Sequence, residues 1–220
     1  RYNALNGERL QVDIANMLYE TCSEICASNL ANKDYKQFEF EIIRLFSLTS
    51  PVSQAVFEQQ NETELTETVY QAAIAHYQKK MEENAARVFP VVKDVYQNQS
   101  NTFKRIVVPF TDGVKTLNVV SDLDKAFESE GKNLIRDFEK NISLAIIDES
   151  WKDHLRKMDE LKQSVQLAVH EQKDPLLIYK FESFELFRAF IDQVNRNIIS
   201  FLFKGELPTQ DPKNIREARS

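Results

Sequence analysis

The stretch HEQKDP, residues 170–175, lies between the two longest apolar-periodic segments of the sequence. The segment before it, from about residue 132 to 169, repeats apolar residues at spacings of three and four, which predicts one long helix. Asp174 and Pro175 begin a second long helix, because aspartate suits the N-cap and proline suits the first helical position. Two helices joined by so few residues must fold back antiparallel. The sequence therefore predicts an αα-hairpin with HEQKDP at its tip.

The apolar stripes of these two helices predict how the hairpin packs. We expect Trp151, Leu155 and Met158 on the first helix to face the second helix, with Trp151 anchoring the base. Phe184 and Phe187 lie on the corresponding stripe of the second helix, which Gly205 is predicted to end. The residues that we expect to face solvent and a partner at the tip are His170, Glu171, Gln172, Lys173 and Asp174.

The composition limits the fold and function classes. Only four glycines occur in 220 residues, which favours a mainly α protein. The net charge is −6 and no dense Lys/Arg run occurs, so we expect no nucleic-acid partner. No apolar run approaches the ~20 residues of a transmembrane helix. The chain starts at Arg1 without a methionine, and we interpret it as a piece of a larger protein.

Residues 102–121 differ in character from the rest of the chain. Runs of β-branched and aromatic residues flank Asp112 and Gly113, which is the strongest short-range signal for a β-hairpin. Pro109 within the first run suggests an exposed edge or a bulge. Because an isolated hairpin is marginally stable in water, this one must lie against helices. We expect one β-hairpin inserted in a helical protein.

No motif in the sequence carries catalytic chemistry, since no P-loop, GxGxxG, HExxH or GxSxG occurs. Asp153 and His154 are helix neighbours whose side chains diverge, so they do not form an acid–base pair. Cys22 and Cys26, at i and i+4, lack the further ligands of a zinc site, and we expect packing thiols rather than a metal site or disulfide. His76 is likewise expected to be a packing residue. Two alternatives are a helical interaction adaptor and a small hydrolase built on His154 or His170.

Four motifs of the αα-hairpin closely resemble the helical scaffold region of the SecA family of preprotein translocase ATPases. The similarity spans about residues 139–205, and the helices before it match more weakly, as a helical wing domain would. The motifs are Trp151-Lys152-Asp153-His154-Leu155, Met158-Asp159 with Leu161, Gln172-Lys173-Asp174-Pro175, and Tyr179-Lys180-Phe181-Glu182-Ser183-Phe184-Glu185-Leu186-Phe187.

The resemblance implies a domain organisation. Residues 1–140 would form a helical wing domain, with an insertion around 97–130 that carries the β-hairpin and has no counterpart in shorter wing domains. Residues 141–205 would form the two-helix finger of the scaffold, followed by an extended tail at 206–220.

The resemblance also implies a function. The finger would contact the SecYEG channel and the translocating preprotein and would regulate the ATPase. Its other partners would be the motor domains in cis and, in a homodimer, a second copy. This chain itself would be no enzyme and would hold no cofactor, because ATP and magnesium bind the motor of the parent. The implied location is cytoplasmic, peripheral at the inner face of the bacterial plasma membrane. One departure is His170, which stands where the family usually carries tyrosine.

Overall fold

A computed structural model describes residues 1–2, 9–99, 103–167, 174–208 and 216–217. Long helices dominate it, and two of the three strands of one small sheet lie between the fourth and fifth helices in chain order. The elements in chain order are α1 (Leu10–Asn32), α2 (Tyr35–Phe46), α3 (Gln54–Gln59), α4 (Glu62–Gln99), β1 (Arg105–Thr111), β2 (Thr116–Asp122), α5 (Leu123–Glu128), α6 (Lys132–Leu167), α7 (Pro175–Lys204) and β3 (Arg216–Glu217).

The helices α1, α2 and α4 share a core built from their periodic apolar faces. Leu18 and Ile25 of α1, Phe38 of α2, and Leu65 and Val69 of α4 are all buried. Residues at spacings of three, four and seven fall on one side of a helix, so each helix can bury a continuous stripe while its charged residues face water. Each of these three helices therefore contributes one apolar face to the core.

Cys22, Cys26 and His76 contribute to packing. Both cysteines are free and buried on α1. Burial raises the pKa of both thiols, that of Cys26 to about 11. His76 on α4 stacks over Phe203 with ring centroids 6.4 Å apart, and burial lowers the pKa of its imidazole.

The predicted β-hairpin is confirmed. β1 and β2 pair antiparallel, with Val108 opposite Val119. Gly113 has φ +88°, a conformation that glycine adopts without strain, and the Asp112 carboxylate accepts the N–H groups of Val114 and Lys115. Alternate residues of β1 are buried, so one face of the hairpin packs on the helices, as its marginal intrinsic stability requires.

The predicted αα-hairpin is confirmed as well, and with it the mainly α fold. α6 and α7 fold back on one another, and Pro175 is the first residue of α7. The Asp174 carboxylate accepts the N–H of Leu176 at 2.9 Å, so this residue is the N-cap that the sequence indicated. The predicted tip residues 170–173 lie outside the described part of the chain.

The C-terminal end of α7 is held by α4. Lys80 of α4 donates from Nζ to the carbonyl of Phe203 at 2.7 Å, and Asn84 donates from Nδ2 to the carbonyl of Gly205 at 3.1 Å. These bonds satisfy carbonyls at the helix end that have no partner within the helix. Gly205 has φ −56°, so the helix does not end in a left-handed conformation and the backbone angle does not require glycine at this position. A Cβ there would lie 2.6 Å from Cζ of Phe138, so close packing excludes a side chain.

Candidate partner-binding surface on the αα-hairpin

An apolar stripe on α7 faces solvent. We define the α7 stripe as Leu177, Phe181, Phe184, Phe187 and Ile191, all of which are exposed; Phe184, for example, is 63% exposed. Their spacings of three and four place them along one side of the helix. A contiguous apolar surface of this kind is typical of a site that contacts another macromolecule.

An aromatic cluster joins α6 to α7 beside this stripe. Its members are Trp151 and His154 of α6 and Phe187 and Phe190 of α7. The His154 ring lies 4.7 Å from that of Phe190 and 5.9 Å from that of Phe187, and Trp151 meets Phe190 edge-on at 5.5 Å. Aromatic rings favour edge-to-face and offset arrangements at these distances, so the cluster holds the two helices against each other.

His154 occupies the centre of this contact. It is only 6% exposed, and its Nδ1 has no hydrogen-bond partner among the described residues. The buried positions of α6 in this region include Ile146, His154, Leu161 and Val165. The sequence indicates a structural role for His154 against a neighbouring helix, but the apolar stripe predicted for α6 leaves it out, because a histidine interrupts the apolar pattern. The signal that would have found it is its spacing. His154 lies eight residues after Ile146 and seven residues before Leu161, and each interval is about two helical turns.

The predicted packing residues occupy different environments. Trp151 is 43% exposed and Leu155 is 48% exposed, so both lie at the border of the helix contact, whereas Met158 is half-buried. Trp151 and Phe187 both contact Phe190, and Phe184 lies on the exposed α7 stripe. The structure therefore places Trp151 and Phe187 in one aromatic cluster, and it leaves Leu155 about half exposed and Phe184 mostly in solvent.

Asp153 is engaged by cations on its own helix. Its carboxylate pairs with Arg156 at 2.7 Å and with Lys157 at 3.2 Å. The hydrogen bond from Arg156 is the main reason why the pKa of Asp153 is lowered. Asp153 and His154 therefore do not act as an acid–base couple, as expected for adjacent helix positions.

A cleft of about 360 Å³ opens between the β-hairpin turn and the two long helices. Lys115, in the turn, spans its rim and pairs with Glu149 of α6 at 2.8 Å. Among the described residues, no group of three His, Cys, Asp or Glu side chains is arranged to hold a metal ion. The Lys115–Glu149 ion pair ties the β-hairpin turn to α6 across this cleft.

Within the described ranges, no helix combines the length and apolar character that a membrane span needs.

The family described as the SecA Wing and Scaffold domain matches residues 1–206 of this sequence. The chain belongs to the SecA wing and scaffold family. The resemblance inferred from the αα-hairpin motifs is thereby confirmed. The division into wing, insertion, finger and tail at the stated boundaries stays a prediction.

Relatives in this SecA family are similar over essentially the whole chain. The Protein translocase subunit SecA of Christiangramia forsetii is 61% identical over 219 residues, which cover 100% of this chain and 20% of the relative. The subunit of the same name from Flavobacterium psychrophilum is 59% identical over 218 residues, 99% of this chain and 19% of the relative. That of Cytophaga hutchinsonii is 41% identical over 219 residues, 100% of this chain and 20% of the relative. The chain thus spans about one fifth of the length of these SecA proteins.

Proposed function

We propose that this chain is the wing and scaffold part of an ATP-driven protein translocation motor. Its αα-hairpin contacts the SecYEG channel and the translocating preprotein, and it regulates the ATPase. The observation that supports this most directly is the α7 stripe, which presents apolar side chains to solvent along the hairpin. Membership of the SecA family and the name of the relatives, protein translocase subunit SecA, support the same function.

In this proposal the chain has a mechanical and regulatory role and does not catalyse a reaction. ATP and magnesium bind to motor domains elsewhere in the parent protein, and this chain is not itself an enzyme. The proposed location is cytoplasmic, peripheral at the inner face of the bacterial plasma membrane. The motor domains in cis are its further partners.

The geometry of the hairpin suits a lever. α7 has 30 residues, and at 1.5 Å per residue it is about 45 Å long. Its distal end begins with the Asp174 cap, and its base is fixed to α4 by Lys80 and Asn84. A helix packed along another and held at one end transmits a displacement of its tip to that end. The proposed regulation of the ATPase would use this path.

The test is a translocation assay in the full-length motor with His170→Ala and His170→Gly at the tip. We expect transport to fall while ATP hydrolysis stays largely intact, because the tip contacts the substrate but not the nucleotide. Lys36→Ala, an exposed change on α2, is the matched control and should alter neither activity. Unchanged transport in both His170 variants would contradict the proposed role of the tip.

A further inference from the structure

A groove of about 570 Å³ lies between α4 and α6, and no described residue of α7 lines it. Near one end, the Tyr77 hydroxyl of α4 donates to Oε1 of Glu139 of α6 at 2.8 Å. Near the other end, Gly131 precedes α6 and lies so close to α4 that a Cβ there would be 2.9 Å from the carbonyl oxygen of Ala85. The two helices therefore run antiparallel beside the groove. Its volume falls within the range of about 300–1,000 Å³ that is typical of ligand sites.

The floor of the groove is apolar. We define the groove floor as Met81, Ala85 and Phe89 of α4 and Ile135 of α6, all of which line it. Phe89 is half-buried and the other three are buried. The α4 residues are spaced by four, so they fall along one side of the helix over about 12 Å. A ligand that fills this floor therefore needs an extended apolar part.

One carboxyl group in the lining is buried and has no cation beside it. Glu139 lines the groove and is 6% exposed. Its hydrogen bonds come from Tyr77 and Gln11, which are both neutral donors. Among the residues that the structure describes, no Lys or Arg side chain forms an ion pair with it. Burial raises the pKa of Glu139, and the charge of Arg136 is the smallest of the influences that oppose this shift. A buried carboxylate without a cation is costly to keep ionised.

The charges of the lining favour a cationic ligand over an anionic one. The charged side chains that line the groove are Glu82, Glu130, Glu139, Lys132 and Arg136. Three carboxylates thus face two cations, which leaves one negative charge when all five are ionised. All except Glu139 are exposed, so water and salt screen their charges. The Glu139 carboxylate is screened least, and it is therefore the group that a ligand's charge meets most strongly.

We propose that this groove binds a primary ammonium group carried on an apolar chain, with the Glu139 carboxylate accepting hydrogen bonds from the ammonium and the groove floor contacting the chain. Hydrogen bonds between an ammonium and a carboxylate are stronger than those between neutral groups. Burial of the chain adds a hydrophobic contribution. A carboxyl group kept in a buried position at a cost in stability is typical of a binding site. The site is independent of the proposed function in transport, because it uses neither the α7 stripe nor the hairpin tip.

Calorimetric titration of the 220-residue chain with n-octylammonium chloride at pH 7 tests the site. Sodium n-octanoate is the matched control ligand, since it has the same chain length and the opposite charge. It should bind at least about tenfold more weakly than n-octylammonium. Amide chemical shifts measured by NMR should change at Met81 and Ile135 on addition of the amine. Equal affinities for the two ligands would overturn the proposal.

Three variants test the residues of the site. Glu139→Gln should weaken n-octylammonium binding at least about tenfold, because it removes the charge and keeps the shape of the side chain. This variant should fold, since it removes a buried charge. Ala86→Leu adds three carbon atoms to an exposed position that lines the groove, and it should weaken binding at least about fivefold. Glu83→Gln removes an exposed carboxylate of α4 outside the groove and should change the affinity less than about twofold. Unchanged affinity in Glu139→Gln would refute the site.

Two sources carry this ligand chemistry, a free aliphatic amine and a lysine side chain of another polypeptide. A five-residue peptide with blocked ends and one lysine between two leucines represents the second source, and the same peptide with norleucine in place of lysine is its control. Tighter binding of the lysine peptide than of n-octylammonium identifies a polypeptide as the ligand, and the reverse order identifies a free amine. If neither the amine nor the lysine peptide binds, the proposal is wrong.

Discussion

Asn84 and Gly205 are 121 positions apart in the sequence and are joined by a hydrogen bond of 3.1 Å from the Asn84 amide to the Gly205 carbonyl. Asn84 lies in the middle of α4 and is buried, and Gly205 is the first residue after α7. This bond fixes the base of the αα-hairpin to the long helix of the N-terminal core. The stability of the base should therefore depend on single polar contacts as well as on apolar burial.

The Asn84 bond predicts the effect of its removal. Asn84→Ala leaves the Gly205 carbonyl without this donor in a buried site, and we expect a loss of about 1–3 kcal/mol in the free energy of unfolding. Urea denaturation measures it. Asn98→Ala on the exposed surface of the same helix is the control and should cost less than about 0.5 kcal/mol. Equal losses in the two variants would contradict the assignment.

The close packing at Gly205 predicts that even one methyl group is harmful. Gly205→Ala places a Cβ against the Phe138 ring and the Phe201 carbonyl, and it should cost about 1–3 kcal/mol of stability. Combining it with Phe138→Leu should cost less than the sum of the two single changes, because the smaller side chain relieves part of the overlap. Additive costs in a double-mutant cycle would show that the clash with Phe138 is not the cause.

The buried carboxyl group of Glu139 predicts a pH dependence. Burial raises its pKa, outweighing the hydrogen bonds from Tyr77 and Gln11 that lower it. The folded chain therefore binds this proton more tightly than the unfolded chain, so the group lowers stability as pH rises from about 4.3 through the folded pKa. Glu139→Gln removes this titration. As pH rises through this range, the variant should become more stable than the unsubstituted chain, and it should stay more stable at higher pH.

Urea denaturation between pH 4 and pH 7 measures the Glu139 effect. Asp153→Asn is the control, because Arg156 lowers the pKa of the exposed Asp153 carboxyl, so its contribution to stability is lost only below about pH 4 and should change little between pH 4 and pH 7. A stability difference for Glu139→Gln that does not change with pH would contradict the prediction.

The environment of His154 predicts that its shape matters more than its polarity. His154→Ala removes a ring from the aromatic cluster and should cost about 2–4 kcal/mol. His154→Phe keeps a ring and removes the unpaired Nδ1, so it should change stability by less than about 1.5 kcal/mol. Fluorescence of Trp151, the only tryptophan in the chain, reports unfolding from within the cluster. A phenylalanine variant as unstable as the alanine variant would indicate a polar role instead.

The exposed α7 stripe predicts self-association of this chain at high concentration. Light scattering over a concentration series should show a rising mean mass, and Phe181→Ser with Phe184→Ser should reduce it without lowering stability by more than about 0.5 kcal/mol. Phe40→Ser is the matched control, since Phe40 is a 55% exposed phenylalanine on α2. A strict monomer at all concentrations would contradict this prediction.

Much of the fold was predictable because the signals are local. The Asp174–Pro175 start of α7 depends on one side chain reaching a backbone N–H two residues away. The β-hairpin depends on Asp112 and Gly113 in the turn itself. The αα-hairpin follows from two periodic segments and a connection too short for any other arrangement. Neighbouring residues decide each of these features, so the linear sequence contains them.

The sequence by itself thus determined the helices, the hairpin turns and the family, because capping, periodicity and motif spacing act within a few residues. Only the tertiary structure decided that α6 buries His154 while Trp151 and Leu155 lie at the border of the contact. A helix of 36 residues carries apolar side chains on more than one side, and the position of α7 selects among them. The structure likewise decided why residue 205 is glycine and which strand edge receives Glu206, because both depend on the Phe138 ring and on β1, which approach this end of α7 only in the folded chain.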